Sequence, residues 1–226
     1  MLHFEQFGKR YGRTEIIAPT DLSLPVGIHL LLGQNGAGKT TLLRALAGLI
    51  PFSGAITCDG SIRLGRDTRA HRLAFNLSEA EPSFPSYISG RYLVEFFARL
   101  KQAPAGQVES VSAQLGIGDY LGQQIGTYSS GMRKKLSLLL AFLGTPRWIL
   151  LDEPLATLDV HAQAHLLSLI LRRRMSGTNF LISTHQALDL EQLAPQSALL
   201  VAERMIRPIS LTEATEWISS LQPETH

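Results

Sequence analysis

Gly33-Gln34-Asn35-Gly36-Ala37-Gly38-Lys39-Thr40-Thr41 fits the phosphate-binding pattern G-x-x-x-x-G-K-[S/T] at every fixed position. The apolar run Ile28, Leu30, Leu31 and Leu32 before it reads as a buried strand, and Thr41 to Ala47 after it reads as a helix, which is the context the pattern requires. The glycines let the backbone take conformations that a Cβ would forbid, so successive N–H groups can point at phosphate oxygens at the positive end of the helix. Lys39 supplies a point charge to the β- and γ-phosphates, and Thr40 offers a hydroxyl to Mg²⁺. A glycine-rich turn that binds nothing has no need of Lys-Thr at its exit. Nucleotide is therefore the first hypothesis.

The bulk composition narrows the setting. At 226 residues the chain suits one large α/β domain, or a core with a small subdomain, better than two unrelated domains. Its formal net charge of +2, from 21 Lys+Arg against 19 Asp+Glu, is too small to argue for nucleic acid or an anionic membrane surface. Arg172-Arg173-Arg174 is a dense basic cluster, and it precedes Ser176-Gly177, as cations in the last turn of a helix do. Cys58 stands alone, which leaves no disulfide framework or cysteine cluster for zinc and fits a reducing cytosol. Met1-Leu2-His3-Phe4-Glu5 lacks the basic start and apolar core of a signal peptide. No segment reaches the roughly 18 to 20 apolar residues needed to span a bilayer, so a membrane role is expected to come through a partner.

Taken in order, residues 2–7 alternate crudely and predict a first strand, followed by the turn Lys9-Arg10-Tyr11-Gly12-Arg13. An aromatic ring such as Tyr11, in a loop near a phosphate site, can either stack on a purine or pack. The helix after the phosphate turn is expected to run to about Leu49, and residues 54–60 to form a short strand closed by Asp59-Gly60. Leu73-Ala74-Phe75-Asn76-Leu77 reads as another strand. The next helix carries Tyr92, Leu93, Phe96, Phe97 and Leu100 at helical spacing, a face expected in the core. With a second helix around Val108–Leu115 and a short one near Asp119–Gly122, it suggests a helical insertion from about 86 to 127. Tyr128-Ser129-Ser130-Gly131-Met132 opens a further helix, with serines placed to cap free N–H groups.

Arg147-Trp148-Ile149-Leu150-Leu151-Asp152-Glu153-Pro154 is a buried apolar strand ending in two carboxylates. Neighbours along a strand point to opposite sides, so the two can hold different tasks in one site. Asp152 suits Mg²⁺ through its water shell, and Glu153 suits polarising the water that attacks the γ-phosphate. Thr157-Leu158-Asp159 starts the next helix. His161 and His165 lie four apart on it, but Ala162 stands where a metalloprotease motif has Glu, which argues against zinc. Asn179 to Ser183 forms a last core strand ending at Thr184-His185. A histidine at that sheet edge can donate to the γ-phosphate. Ala198–Val201, Met205–Ile206 and a helix from about Leu211 to Leu221 complete the chain.

With these pieces in this order, the sequence resembles the ATP-binding cassette (ABC) ATPase family over nearly its whole length. Gly33–Thr41 looks like the family's Walker A loop, Ile149–Glu153 its Walker B strand with the catalytic glutamate, Leu158-Asp159 its D-loop and His185 its switch histidine. Tyr11, after Lys9-Arg10, matches the aromatic that stacks on adenine. The family signature is usually Leu-Ser-Gly-Gly-Gln, and Tyr128-Ser129-Ser130-Gly131-Met132 keeps its serine and second glycine only. The family's Q-loop glutamine has no counterpart between Leu73 and Ser89. Glu79 is the best aligned substitute, able to hold Mg²⁺-bound water, and Glu81 is second.

The resemblance implies a P-loop NTPase core with a mostly parallel sheet, an N-terminal antiparallel β subdomain and an inserted helical subdomain. The core would be residues 1–85 and 128–226, and the insertion 86–127. It implies ATP and Mg²⁺ as ligands, and hydrolysis between two head-to-tail copies, this chain pairing with itself or a related cassette. In that pair Ser129, Ser130 and Gly131 of each copy close over the γ-phosphate of the other. Further implications are integral membrane permease subunits docked beside Glu79–Tyr87, a cytoplasmic position on the inner face of the membrane, and a likeness to bacterial exporter ATPases. Two rivals stand beside this reading. One is a soluble ABC ATPase acting on nucleic acid or the ribosome, the other a cassette that binds ATP with weak catalysis.

Overall fold

The computed structural model describes residues 1–184 and 193–221. Its centre is a six-stranded sheet in the order β10-β9-β3-β8-β7-β6. The strands are β3 (Ile28–Leu32), β6 (Phe75–Ser78), β7 (Trp148–Asp152), β8 (Asn179–Ser183), β9 (Ser197–Ala202) and β10 (Met205–Ile209). All neighbours are parallel except β9 with β10. Every residue of β3, β7 and β8 is buried, which explains their unbroken apolar runs, since a parallel sheet is covered on both faces.

Alternation along these strands divides the interior in two. Leu30, Leu32, Ile149, Leu151, Phe180 and Ile182 face one core, while Leu31, Trp148, Leu150 and Leu181 face the other. Helix α1 (Lys39–Leu46) packs on β6 and β7 and belongs with the second core. That core also takes a four-stranded antiparallel sheet in the order β2-β1-β4-β5. Its strands are β1 (Leu2–Tyr11), β2 (Thr14–Leu24), β4 (Ser53–Cys58) and β5 (Ile62–Arg63). Each leucine buried between such layers contributes roughly 2 kcal/mol.

Three expectations change here. Strand β1 runs through Tyr11 rather than ending near residue 7, because Lys9 is drawn inward, donating to the Pro51 carbonyl at 2.6 Å. Helix α2 (Thr68–Ala74) occupies part of the stretch read as a strand, and β6 begins only at Phe75. His71 holds that helix down, bonding to the Leu46 carbonyl at 2.7 Å. Helix α1 stops at Leu46, short of Leu49.

On the other face lie α3 (Gly90–Leu100), α4 (Gln107–Leu115), α5 (Ser130–Ala141) and α6 (Val160–Met175), with α7 (Leu211–Ser220) against β9. The Ser89 hydroxyl caps α3, accepting from the Tyr92 N–H at 3.2 Å. The α3 face expected in the core is only half used. Leu93, Val94 and Phe97 pack inward, whereas Tyr92, Phe96 and Leu100 form an exposed stripe at four-residue spacing. Among the described residues, no helix is long and apolar enough to cross a membrane.

Candidate functional site

The phosphate-type loop leaves β3 at its carboxyl end and enters α1 through Gly38, the N-cap, at φ 113°. A Cβ at Gly33 would lie 2.6 Å from the Val201 carbonyl oxygen, so only glycine fits there. At Gly36, φ is 80° with open space around it, so the requirement is the backbone conformation itself. Gln34, Asn35 and Gly36 are exposed, Ala37, Thr40 and Thr41 half-buried. The turn is closed by the Ala37 N–H donating to the Gln34 carbonyl at 3.1 Å. Lys39 is buried along the loop, its ammonium donating to the carbonyls of Gly33 at 2.7 Å and Gln34 at 3.3 Å.

Asp152 ends β7 beside this loop, 2% exposed. Its carboxylate accepts from two hydroxyls, Thr40 Oγ1 on Oδ2 at 2.6 Å and Ser183 Oγ on Oδ1 at 2.5 Å. Three strand and helix ends thus converge on one carboxylate. Glu153 follows with φ 45°, a left-handed conformation that costs a non-glycine residue about 1 to 3 kcal/mol. Its N–H donates to Ser183 Oγ at 2.9 Å, which fixes the turn out of the strand. Strand alternation therefore ends at Asp152, and Glu153 belongs to the turn that follows.

These residues fit Mg²⁺ and a triphosphate. Thr40 and Asp152 offer hard oxygen donors side by side, and a cation of this kind is commonly held by one carboxylate, a hydroxyl and phosphate oxygens. Among the described residues there is no cluster of three or more His, Cys, Asp or Glu side chains able to hold a metal by itself. On α6, His165 Nδ1 lies 3.0 Å from the Gln114 carbonyl.

The other residues singled out in the sequence fall in separate places. Ser129 is exposed and caps α5, its hydroxyl accepting from the Met132 N–H at 3.2 Å. Asp159 caps α6 in the same way, accepting from Ala162 at 2.9 Å, and pairs with Lys135 at 3.7 Å. A Cβ at Gly131 would lie 3.2 Å from the Thr157 carbonyl oxygen, so the starts of α5 and α6 adjoin, with Ser130 exposed between them and solvent. None of these side chains bonds to Lys39, Thr40 or Asp152. Tyr11 is half exposed with the Lys9 ammonium 4.6 Å from its ring centroid, and it ends a strand rather than lying in a loop. Glu79 follows β6, and its carboxylate is engaged by Arg44 of α1 at 2.6 Å. His185 lies outside the described residues.

Three participants escape the sequence reading. Ser183 was visible only as the polar end of an apolar strand, and Arg44 as a cation on a helix. Lys134 is the third. It is buried, and its ammonium donates to the carbonyls of Asp152 at 2.7 Å and Glu79 at 2.8 Å. Burial pushes that ammonium down to about 8, against the opposing pull of Asp152, Glu153 and Glu79.

Comparison with known proteins bears on this geometry. Residues 20–156 match the ABC transporter family model. A daunorubicin resistance ATP-binding protein of Streptomyces coeruleorubidus is 31% identical over 88% of this chain and 64% of its own length. An ABC transporter ATP-binding protein of Bacillus subtilis is 30% identical over 93% of this chain and 70% of its own. The mouse ATP-binding cassette sub-family A member 7 is 32% identical over 77% of this chain, which spans only 8% of that protein. In fold, an ATP binding subunit of an ABC transporter superposes with a TM-score of 0.85 at 21% identity, covering 97% of this chain and 93% of that one. A bacterial Atm1-family ABC exporter with ATP bound gives 0.83 at 17% identity, covering 100% and 42%. The chain therefore belongs to the ABC transporter family, and its fold is that of the family's nucleotide-binding ATPase domain.

Proposed function

We propose that this chain binds ATP on the Gly33–Thr41 loop and hydrolyses it to drive a transporter. The observation that carries the reading is the convergence of Thr40, Ser183 and Asp152 beside the loop, with Glu153 turned out next to them. Loop N–H groups and the Lys39 ammonium bind the β- and γ-phosphates. Glu153 takes the proton of the attacking water as its oxygen bonds to the γ-phosphorus and the bond to the β-bridging oxygen breaks. Mg²⁺ held by Thr40 and Asp152 would neutralise the charge developing on the phosphate oxygens. Tyr11 is the surface for the adenine ring, and His185 the further contact to the γ-phosphate, both on the family resemblance.

Two copies, or this chain and a related cassette, are proposed to close head to tail. In favour, Ser129 and Ser130 are exposed at the start of α5, where a helix N-terminus favours an anion. Residues 86–127 act as the helical subdomain on the core of residues 1–85 and 128–226. Between α2 and α3 runs a groove of about 840 Å³, its floor including Leu77, Phe84 and Phe97 and its rim Arg69, Arg72 and Arg99. It suits an apolar segment carrying acidic residues, offered by a membrane permease, which would hold the chain on the cytoplasmic face. Export is the direction favoured by the name of the daunorubicin resistance relative.

The test uses Glu153→Gln. With Mg-ATP, phosphate release is expected to fall by at least about 100-fold, while gel filtration shows a species of doubled mass. A monomer at every ATP concentration would overturn the paired mechanism. Failure of the parent chain to sediment with any membrane fraction of its source cell would overturn the transporter assignment.

A further inference from the structure

The Asp152 carbonyl and the Glu153 N–H are the two ends of a single peptide unit. Ser183 Oγ accepts from the N–H end at 2.9 Å, and the Lys134 ammonium donates to the carbonyl end at 2.7 Å. The unit is gripped from both sides, and it leads into the left-handed residue at φ 45°. Such a backbone persists only where its surroundings over-determine it. The second Lys134 bond, to the Glu79 carbonyl at 2.8 Å, anchors the same ammonium to the segment after β6. Lys134 is 1% exposed, its charge is costly to bury, and the neighbouring positions Leu136, Leu138, Leu139 and Leu140 show that α5 readily takes an apolar side chain.

We infer that Lys134 is a positioning residue for hydrolysis: by holding the Asp152 carbonyl it fixes the peptide plane from which Glu153 meets the attacking water. The inference rests on Glu153 being the general base. Lys134 touches neither nucleotide nor water in this role. Without it the carbonyl can rotate, the left-handed backbone can relax, and the Glu153 carboxylate shifts. A displacement near 1 Å costs on the order of 100-fold in rate. The phosphate loop, bonded through Lys39 and Thr40, keeps its own contacts, so ATP binding is spared.

Lys134→Met, Glu153→Gln and the double variant test this in the full chain, by phosphate release and by titration with a fluorescent ATP analogue. Lys134→Met is expected to lower kcat by about 10- to 100-fold, the range for residues that orient a catalytic group, with nucleotide Kd within about threefold of the parent. Lys134→Gln, whose amide keeps two N–H donors on a shorter arm, recovers part of the loss. The double variant is no slower than Glu153→Gln alone. The inference is overturned if Lys134→Met hydrolyses within about twofold of the parent, or loses affinity and kcat in equal measure, as a general loosening would do. If Lys134→Met does not fold, the same split of kcat from Kd is read on Lys134→Leu, which also lacks the donors, and a Leu variant at the parent rate overturns the inference. Parent-like hydrolysis by Glu153→Gln would refute the base assignment and the inference together, whereas failure at Lys134 alone leaves that assignment standing.

Discussion

At the amino ends of β3, β7 and β8 the chain buries His29, Trp148 and Asn179; at the carboxyl ends of the same sheet it buries Lys39, Asp152 and Ser183. Both groups carry polar atoms away from solvent, yet they are wired differently. At the amino end the two most polar residues tie neighbouring strands of the sheet to one another. His29 Nε2–H donates to the Pro25 carbonyl and Nδ1 accepts from the Ser197 hydroxyl, both at 2.9 Å, and its ring stacks on Trp148. Asn179 accepts from the Gly27 N–H at 2.9 Å and donates to the Arg147 carbonyl at 3.0 Å. At the carboxyl end the bonds run between a loop, a helix start and two strand ends, and the backbone beyond Asp152 is left-handed. One end uses its polar groups to tie strands together, the other to join a loop, a helix start and two strand ends around one carboxylate.

The contrast is broken most sharply by Lys39→Ala. If the carboxyl end is built for triphosphate, this change should weaken ATP binding by about 4 kcal/mol, on the order of a thousandfold, with little loss of melting temperature. Isothermal titration measures the first and thermal unfolding the second. Retained affinity would refute a phosphate-binding role for Gly33–Thr41.

At the other end the expected effect is on folding and depends on pH. Burial lowers His29 from 6.5 to about 4, and burial likewise lowers His71. Above pH 6.5 both folded and unfolded His29 are neutral, and its contribution is constant. As pH falls below 6.5 only the unfolded chain takes up the proton, so stability declines until about pH 4, by roughly 3 kcal/mol for this one group. Urea unfolding at pH 7 and pH 4.5 should show the fall, and His29→Gln should make it smaller. An unchanged fall in the variant would assign the acid sensitivity elsewhere.

The smallest effect is expected at Glu79→Gln. The Arg44–Glu79 pair is partly exposed on both sides, so its loss should change stability by under about 1 kcal/mol. Nucleotide affinity or hydrolysis should nevertheless shift by a few-fold, because Glu79 borders both the groove and the Lys134 bridge. If neither moves, Glu79 is not the link between the groove and the site.

What is legible in the sequence is what local pattern can carry. The glycine spacing of the Gly33–Thr41 loop and the apolar runs of β3, β7 and β8 are contiguous and the structure keeps them in place, whereas β7 ends at Asp152 and Glu153 lies in the turn beyond. Helix α2 was not legible, because Thr68–Ala74 has no apolar period and is held by one buried histidine under Gly48. The α3 stripe misleads for the opposite reason: periodicity marks an apolar face without saying how much of it finds a partner within the chain. Lys134 stands between Arg133 and Lys135, and three cations in a row read as surface. Only the approach of two carbonyls from distant segments explains why the middle one points inward.

Gly33 carries a consequence of its own. The carbonyl that would collide with a side chain there belongs to Val201 on β9, and the turn joining β9 to β10 is fastened across to the antiparallel sheet, the Ala18 N–H donating to the Arg204 carbonyl at 2.7 Å. The hairpin of β9 and β10 is thus a buttress for the first corner of the phosphate loop. If the loop binds a triphosphate as proposed, loosening that truss far downstream would be felt as slack in its grip.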